Sequence, residues 1–413
     1  MLTDVPIVFI LVGLAAYAVL AGADFGAGFW TLFSGGGRAD HATTREHAHH
    51  AMSPVWEANH VWLIFVLVVC WTAYPVAFGS ITSTLSIPLF IAALGIILRG
   101  AAYALRGQLD ESPGKRAVER VFALSSILTP FALGTVIGGI ASGRVPVGNA
   151  KGDLVTSWLN PTSILIGALT VVFSCYLAAV YLAADAHRLG ERSLELDFRA
   201  RALATGVVAG ALALGGLLVV RHDARPLWKG LTSGAALAMV GVSAAAGLLT
   251  LALVGRSRFG LARVSAALAV AAIIAGWAIA QEPRFLPGLT TEEAAAGRST
   301  LWAVVICVAA GAVVLVPSLA LLFNLFLRGR LFPGAELTAA RAIDPVTTET
   351  WSARALVPLA AVCVVAGAAL MVLLDSGWAH VVGVLCLFAC AASVFVLATT
   401  IPTDETSLEG RSR

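Results

Sequence analysis

The run Pro54-Val55-Trp56-Glu57-Ala58-Asn59-His60-Val61-Trp62-Leu63-Ile64 places an acid, an amide, an imidazole and two indoles at the mouth of a long apolar segment. On a helix, Trp56, Asn59 and His60 fall at i, i+3 and i+4 and share a face, and Glu57 and His60 are also three apart. From Trp62 onward the sequence reads as lipid-embedded, so this face carries polar groups to membrane depth. A carboxylate at the centre of a bilayer costs roughly 2.5 to 3.5 kcal/mol on insertion scales. An acid kept there is buried against protein or water and has a task, which makes Glu57 the first functional candidate.

Working outward, the whole chain has the same character. Of its 413 residues 59% are hydrophobic and 12% charged, with a mean hydropathy of +0.88, which is a polytopic membrane protein rather than a soluble one with a single anchor. A spanning helix needs about 20 apolar residues. Eleven stretches qualify: 5–31, 60–79, 82–105, 118–141, 161–183, 202–220, 231–254, 261–280, 301–327, 355–374 and 378–400. They are continuous and rich in Leu, Ala and Val, so an all-α fold is expected and a transmembrane barrel is excluded. A polar break at 331–353 divides a membrane domain, 1–330, from a C-terminal part, 331–413, made of a linker, two further spans paired over Asp375-Ser376-Gly377-Trp378, and a tail.

Nineteen of the 27 Lys and Arg residues fall in the loops after the first, third, fifth, seventh and ninth spans and in the tail. The positive-inside rule then puts the N-terminus outside and the C-terminus in the cytoplasm, with Asp24 and Glu57 at the cytoplasmic end. The first span lacks a basic n-region and a small-residue cleavage pattern, so it reads as a retained helix. The six cysteines all lie inside spans without metal-site or disulfide spacing and read as small buried residues. No nucleic-acid partner is expected of such a chain; membrane lipid is.

The first span carries Ala21-Gly22-Ala23-Asp24-Phe25-Gly26-Ala27-Gly28, one acid among three glycines that allow close helix packing. The loop with His41, His47, His49 and His50 lacks accompanying acid or thiolate ligands and reads as solvated, not as a metal site. Ser80, Thr82, Ser83, Thr84 and Ser86, near Pro88, either satisfy freed backbone or line a wet path. Arg99, short of the next loop, either snorkels or pairs with an acid such as Glu57. Asn160-Pro161 reads as a helix cap and first turn, the charged stretch 185–201 as a solvated face, and Gln281 to Gly288, with two prolines, as a fixed turn.

Redox chemistry needs a cofactor ligand in the membrane, and only His60 stands at the start of a span in a polar cluster. Several haems need more buried axial ligands than that, so a haem would belong to another subunit. Proton conduction needs less: Asp24, Glu57, His60 and the hydroxyls of the third span supply a candidate row. Two other readings stay open, a proton-coupled secondary transporter and a purely structural assembly partner.

The segment Trp56 to Ile64, with Gly22-Ala23-Asp24-Phe25-Gly26 before it, resembles subunit II of the cytochrome bd-type quinol oxidases. Arg99 and Arg106, Asn160-Pro161, Arg199-Ala200-Arg201-Ala202 and Pro317-Ser318-Leu319 extend the resemblance over about residues 5 to 330. It implies a haem-free chain of two four-helix bundles plus a peripheral helix, bound to a subunit I that holds two b-type haems, one d-type haem and the quinol site. It also implies quinol oxidation coupled to reduction of dioxygen to water. Glu57 stands where many members have Asp and is expected in the cytoplasmic proton-uptake path, with Asp24 as a second station. Trp56, Asn59, His60 and Arg99 are the expected orienting residues, facing subunit I or a structural quinone. The terminal hairpin exceeds the family's usual length and is expected to cover a surface that a small accessory subunit covers elsewhere.

Overall fold

The protein is described here by a computed structural model covering residues 2–33, 41–52, 56–106 and 113–327, with isolated positions between 358 and 389. Residues Met1–Leu319 form one compact unit and Ala320–Arg413 a second; the tenth and eleventh spans expected from hydropathy fall largely outside the described residues. Among those described, eight helices are long and apolar enough to cross a membrane, and a ninth apolar helix is shorter.

In chain order the elements are α1 (Val5–Leu32), α2 (His41–Met52), α3 (Trp56–Ala73), α4 (Pro75–Thr84), α5 (Ser86–Arg106), α6 (Pro113–Ala141), α7 (Pro161–Leu189), α8 (Arg192–Asp223), α9 (Arg225–Leu231), α10 (Gly234–Gly255), α11 (Phe259–Gln281), strands β1 (Arg284–Leu286) and β2 (Leu289–Thr290), α12 (Thr291–Ala294) and α13 (Arg298–Leu327). Helices α1, α3, α5 and α6 pack as one group and α7, α8, α10 and α11 as another, joined where α7 lies against α1 and α6. The seam is a backbone contact. A methyl group on Gly26 would overlap the Ser174 carbonyl and stand 2.8 Å from Ala178 Cβ, so α1 and α7 touch at the distance only glycine permits.

The second expected span is not one helix. Pro75 has no N–H to donate and sits at the first turn of α4, so the chain breaks at Tyr74 (φ −137°, ψ 62°). The Ala73 carbonyl that the break frees accepts instead from the N–H of Ala296 at 2.8 Å. Tyr74 is fully buried and donates its phenol to the Thr3 carbonyl at 2.5 Å. Around it gather Leu85, Val145, Leu286 and Leu289. The fixed turn expected after Gln281 is therefore a short antiparallel ladder folded onto this break, followed by a Thr290/Glu293 capping box.

Two stretches expected to be solvated are helical and partly buried. α2 carries Thr44, His47 and Ala48 inward, with His47 Nε2 3.1 Å from the Leu182 carbonyl and Arg45 3.2 Å from Glu119. The stretch 185–201 is the end of α7 and the start of α8, turned by Gly190 at φ +77°, a left-handed cap that suits glycine. Four of its charges are paired: Asp185 with Arg188 (3.3 Å) and with Arg263 of α11 (2.6 Å), and Glu195 with Arg192 (2.8 Å). Glu195 and Asp197 are buried. At the other end of the fold Asn160 caps α7 as expected, accepting from the Ser163 N–H at 2.9 Å. Asp223 accepts from the N–H and hydroxyl of Thr162 and pairs with Arg144.

Candidate functional site

Four helices bring polar side chains to one buried point. Asp24 comes from α1, Asn59 from α3, Arg99 from α5 and Ser126 from α6, and each is at most 7% exposed. The Asn59 amide donates to the Asp24 carboxylate. Arg99 Nη2 donates to the Asp24 main-chain carbonyl at 2.9 Å, and Nη1 to the Ser126 hydroxyl, which donates in turn to the Phe122 carbonyl at 2.6 Å. The guanidinium also lies 5.1 Å from the centroid of the Phe25 ring and 4.4 Å from that of Phe122, within cation–π range.

A buried cation and a buried anion in one cluster offset part of each other's desolvation cost, and here the guanidinium meets the acid's own main-chain carbonyl. Gly28 makes the slot: a Cβ there would meet Arg99 Nη1 at 2.7 Å and overlap the Ser126 hydroxyl. Arg99 therefore does not snorkel to the surface; it is 2% exposed.

His60 belongs to the same region, its ring edge-on to Tyr17 (5.9 Å) and Phe25 (6.0 Å). Trp56 and Glu57 are the first two residues of α3, three and two positions before Asn59; their side chains lie outside the described residues. The hydroxyl row expected from the third span does not join this site. Ser80 and Ser83, on α4, accept from the N–H groups of Gly148 and Ala150 at 2.9 Å each and return their protons to carbonyls of their own helix. They belong to the end of the fold near Thr3. The hydroxyl that does join is Ser126, which sequence reasoning passed over because a Ser in an apolar run is usually bonded to its own helix; the signal was Gly28 on the neighbouring span.

His47 and His187 direct ring nitrogens at the Leu182 carbonyl and the Glu195 carboxylate, and the His60 ring is walled by two aromatic side chains. Among the described residues there is also no group of three or more His, Cys, Asp or Glu able to hold a metal ion.

Residues 2–326 match the family described as cytochrome bd terminal oxidase subunit II. The chain belongs to that family. It is similar to the cytochrome bd ubiquinol oxidase subunit 2 of Bacillus subtilis (strain 168), 29% identical over 178 residues that cover 42% of this chain and 51% of the relative. It is also similar to the cytochrome bd-I ubiquinol oxidase subunit 2 of Escherichia coli (strain K12), 28% identical over 222 residues, 51% of this chain and 56% of the relative. The chain thus spans about half the length of the curated relatives it matches. The solved structure of bd oxidase from Geobacillus thermodenitrificans contains a chain that superposes with a TM-score of 0.66 at 25% identity, covering 79% of this chain and 98% of that one. As a subunit II with eight described candidate spans, the chain is a bacterial membrane protein.

Proposed function

We propose that this subunit II is the haem-free partner of a haem-bearing subunit I in a quinol oxidase that reduces dioxygen to water, and that it carries protons from the cytoplasm toward the haems of that partner. Subunit I would hold two b-type haems, one d-type haem and the quinol site. The observation that carries the reading is the convergence of Asp24, Asn59 and Arg99, with Glu57 two residues before Asn59 in α3. Burying this much charge serves no packing need that apolar side chains would not serve better.

In this reading Glu57 takes up the proton at the end of α3 and Asp24 relays it. Arg99, through the Asp24 carbonyl and Ser126, sets the potential at the carboxylate, and Asn59 orients it. His60 and Trp56 face subunit I or a structural quinone. The membrane domain is residues 1–330, the N-terminus faces outward and the C-terminus the cytoplasm, and the appended part, 331–413, takes the place of a small accessory subunit. The helix break at Tyr74 lies at the end of the fold near Thr3, not at the middle of a span as a transporter's substrate site requires, so the transporter reading gains no support.

The test is oxygen consumption by the two-subunit complex in membranes. Glu57→Gln and Asp24→Asn should each lower it roughly tenfold or more with the haem spectrum unchanged, while Glu57→Asp keeps most of it. Full activity in both amide variants would leave only a structural role.

A further inference from the structure

The turn between α10 and α11 is Arg256-Ser257-Arg258, and a third arginine braces it. Arg199 of α8 donates through Nη1 to the Ser257 hydroxyl at 3.2 Å and through Nη2 to the Gly255 carbonyl. The main chain is pinned as well: the N–H of Arg256 reaches the Ala252 and Leu253 carbonyls at 3.1 Å, and that of Arg258 the Leu253 carbonyl at 2.9 Å. Ser257 sits at φ +56°, a left-handed conformation that needs such bracing in a residue with a side chain. The result is a fixed turn presenting two exposed guanidinium groups beside a third.

These three arginines have no carboxylate within ion-pair distance among the described residues, whereas Arg45, Arg188, Arg192 and Arg263 at the same end each lie within 3.3 Å of one. The space around the turn is open, since a methyl group on Gly255 or Gly260 would meet nothing within 4 Å. Directly along α11 from the charged turn, Leu261, Val264 and Leu268 are 60%, 67% and 51% exposed, an apolar stripe at i, i+3 and i+7 on a candidate span. Such a stripe alone would take any lipid. Fixed cations at its head select for charge, because each basic residue near an anionic membrane surface contributes about 1 kcal/mol.

We propose that the Arg256-Ser257-Arg258 turn, braced by Arg199, binds the headgroup of an anionic phospholipid, its phosphate between the two exposed guanidinium groups and its alkyl chains along the Leu261–Leu268 stripe. Arginine suits the role because its planar fork meets two phosphate oxygens at once.

The experiment reconstitutes the chain with its partner subunit in nanodiscs of phosphatidylcholine containing phosphatidylglycerol, extracts them gently with detergent and measures retained lipid by mass spectrometry. Wild-type protein should retain phosphatidylglycerol in preference to phosphatidylcholine. R256Q/R258Q should lose that retention by about fivefold per arginine, and R256K/R258K should keep most of it. R116Q/R120Q removes the same charge from exposed positions on α6 and should change nothing. An equal loss in R116Q/R120Q would mean diffuse surface charge and overturn the site, as would unchanged retention in R256Q/R258Q. Displacement of the retained lipid by inorganic phosphate alone would assign the turn to a free anion instead.

Discussion

Asn59 donates its amide to the Asp24 carboxylate across the interface of two antiparallel helices, 35 residues apart in sequence and both buried. This bond defines the orientation of the acid: one carboxylate oxygen is occupied from α3, while the main-chain carbonyl of the same residue is occupied from α5 by Arg99. Removing the donor should cost more than an ordinary surface hydrogen bond. Asn59→Leu is expected to destabilise the complex by about 1–3 kcal/mol, read as a lower unfolding midpoint in detergent, and to slow oxygen consumption. A midpoint equal to wild type would mean that the acid finds another partner.

Gly28 should tolerate no side chain. Its added Cβ would push on Arg99 Nη1 and Ser126 Oγ, both buried, so Gly28→Ala should lose about 1–3 kcal/mol and reduce activity together with stability. Gly210→Ala, where nothing lies within 4 Å, serves as the neutral comparison. Equal behaviour of the two variants would contradict the packing described here.

Ser126 couples Arg99 to α6. Ser126→Ala removes an acceptor from a buried guanidinium and should shift the pH profile of oxygen consumption, while Ser126→Thr, which retains the hydroxyl, should restore the wild-type profile. A profile identical in all three proteins would remove Ser126 from the site.

The loop after α11 should respond to acid. Glu293 accepts from the main-chain N–H and the hydroxyl of Thr290, both at 2.8 Å, and these bonds hold its carboxyl below the usual carboxylate range. Because the folded value is the lower one, the box's contribution is present above the ordinary carboxylate range and is lost as pH falls through the folded value. Amide hydrogen exchange in residues 289–296, corrected for intrinsic rates, should therefore accelerate on acidification in the wild type and show little pH dependence in Glu293→Gln. The same acid response in both would point to another titrating group.

Much of this was legible from residues alone. Continuous apolar runs locate the spans, because lipid allows few alternatives to a helix with all its backbone bonds internal. The acid at Asp24, the amide at Asn59 and the arginine at Arg99 stand out for the same reason: charge and strong polarity are conspicuous against Leu, Ala and Val. Other features were hidden. α2 is polar overall, and its buried stripe is Thr44, His47 and Ala48, small or half-polar residues that give no hydrophobic period. The charges of 185–201 look solvated in sequence, yet Asp185, Arg188, Arg192 and Glu195 pair at i, i+3 or across helices where α7 and α8 run on beyond their apolar cores. The break at Tyr74 leaves hydropathy unchanged, so only Pro75 marked it.

That break has a consequence for biosynthesis. The partner of the Ala73 carbonyl is Ala296, and the residues that cover Tyr74 include Leu286 and Leu289, more than two hundred positions later in the chain. A ribosome adds residues one after another, so the early helices enter the bilayer with this end unfinished and wait for the loop after α11 to seal it. Chains arrested before that loop should be far more susceptible to proteases near Tyr74 than the finished protein, and quality control in the membrane would have a built-in mark by which to tell them apart.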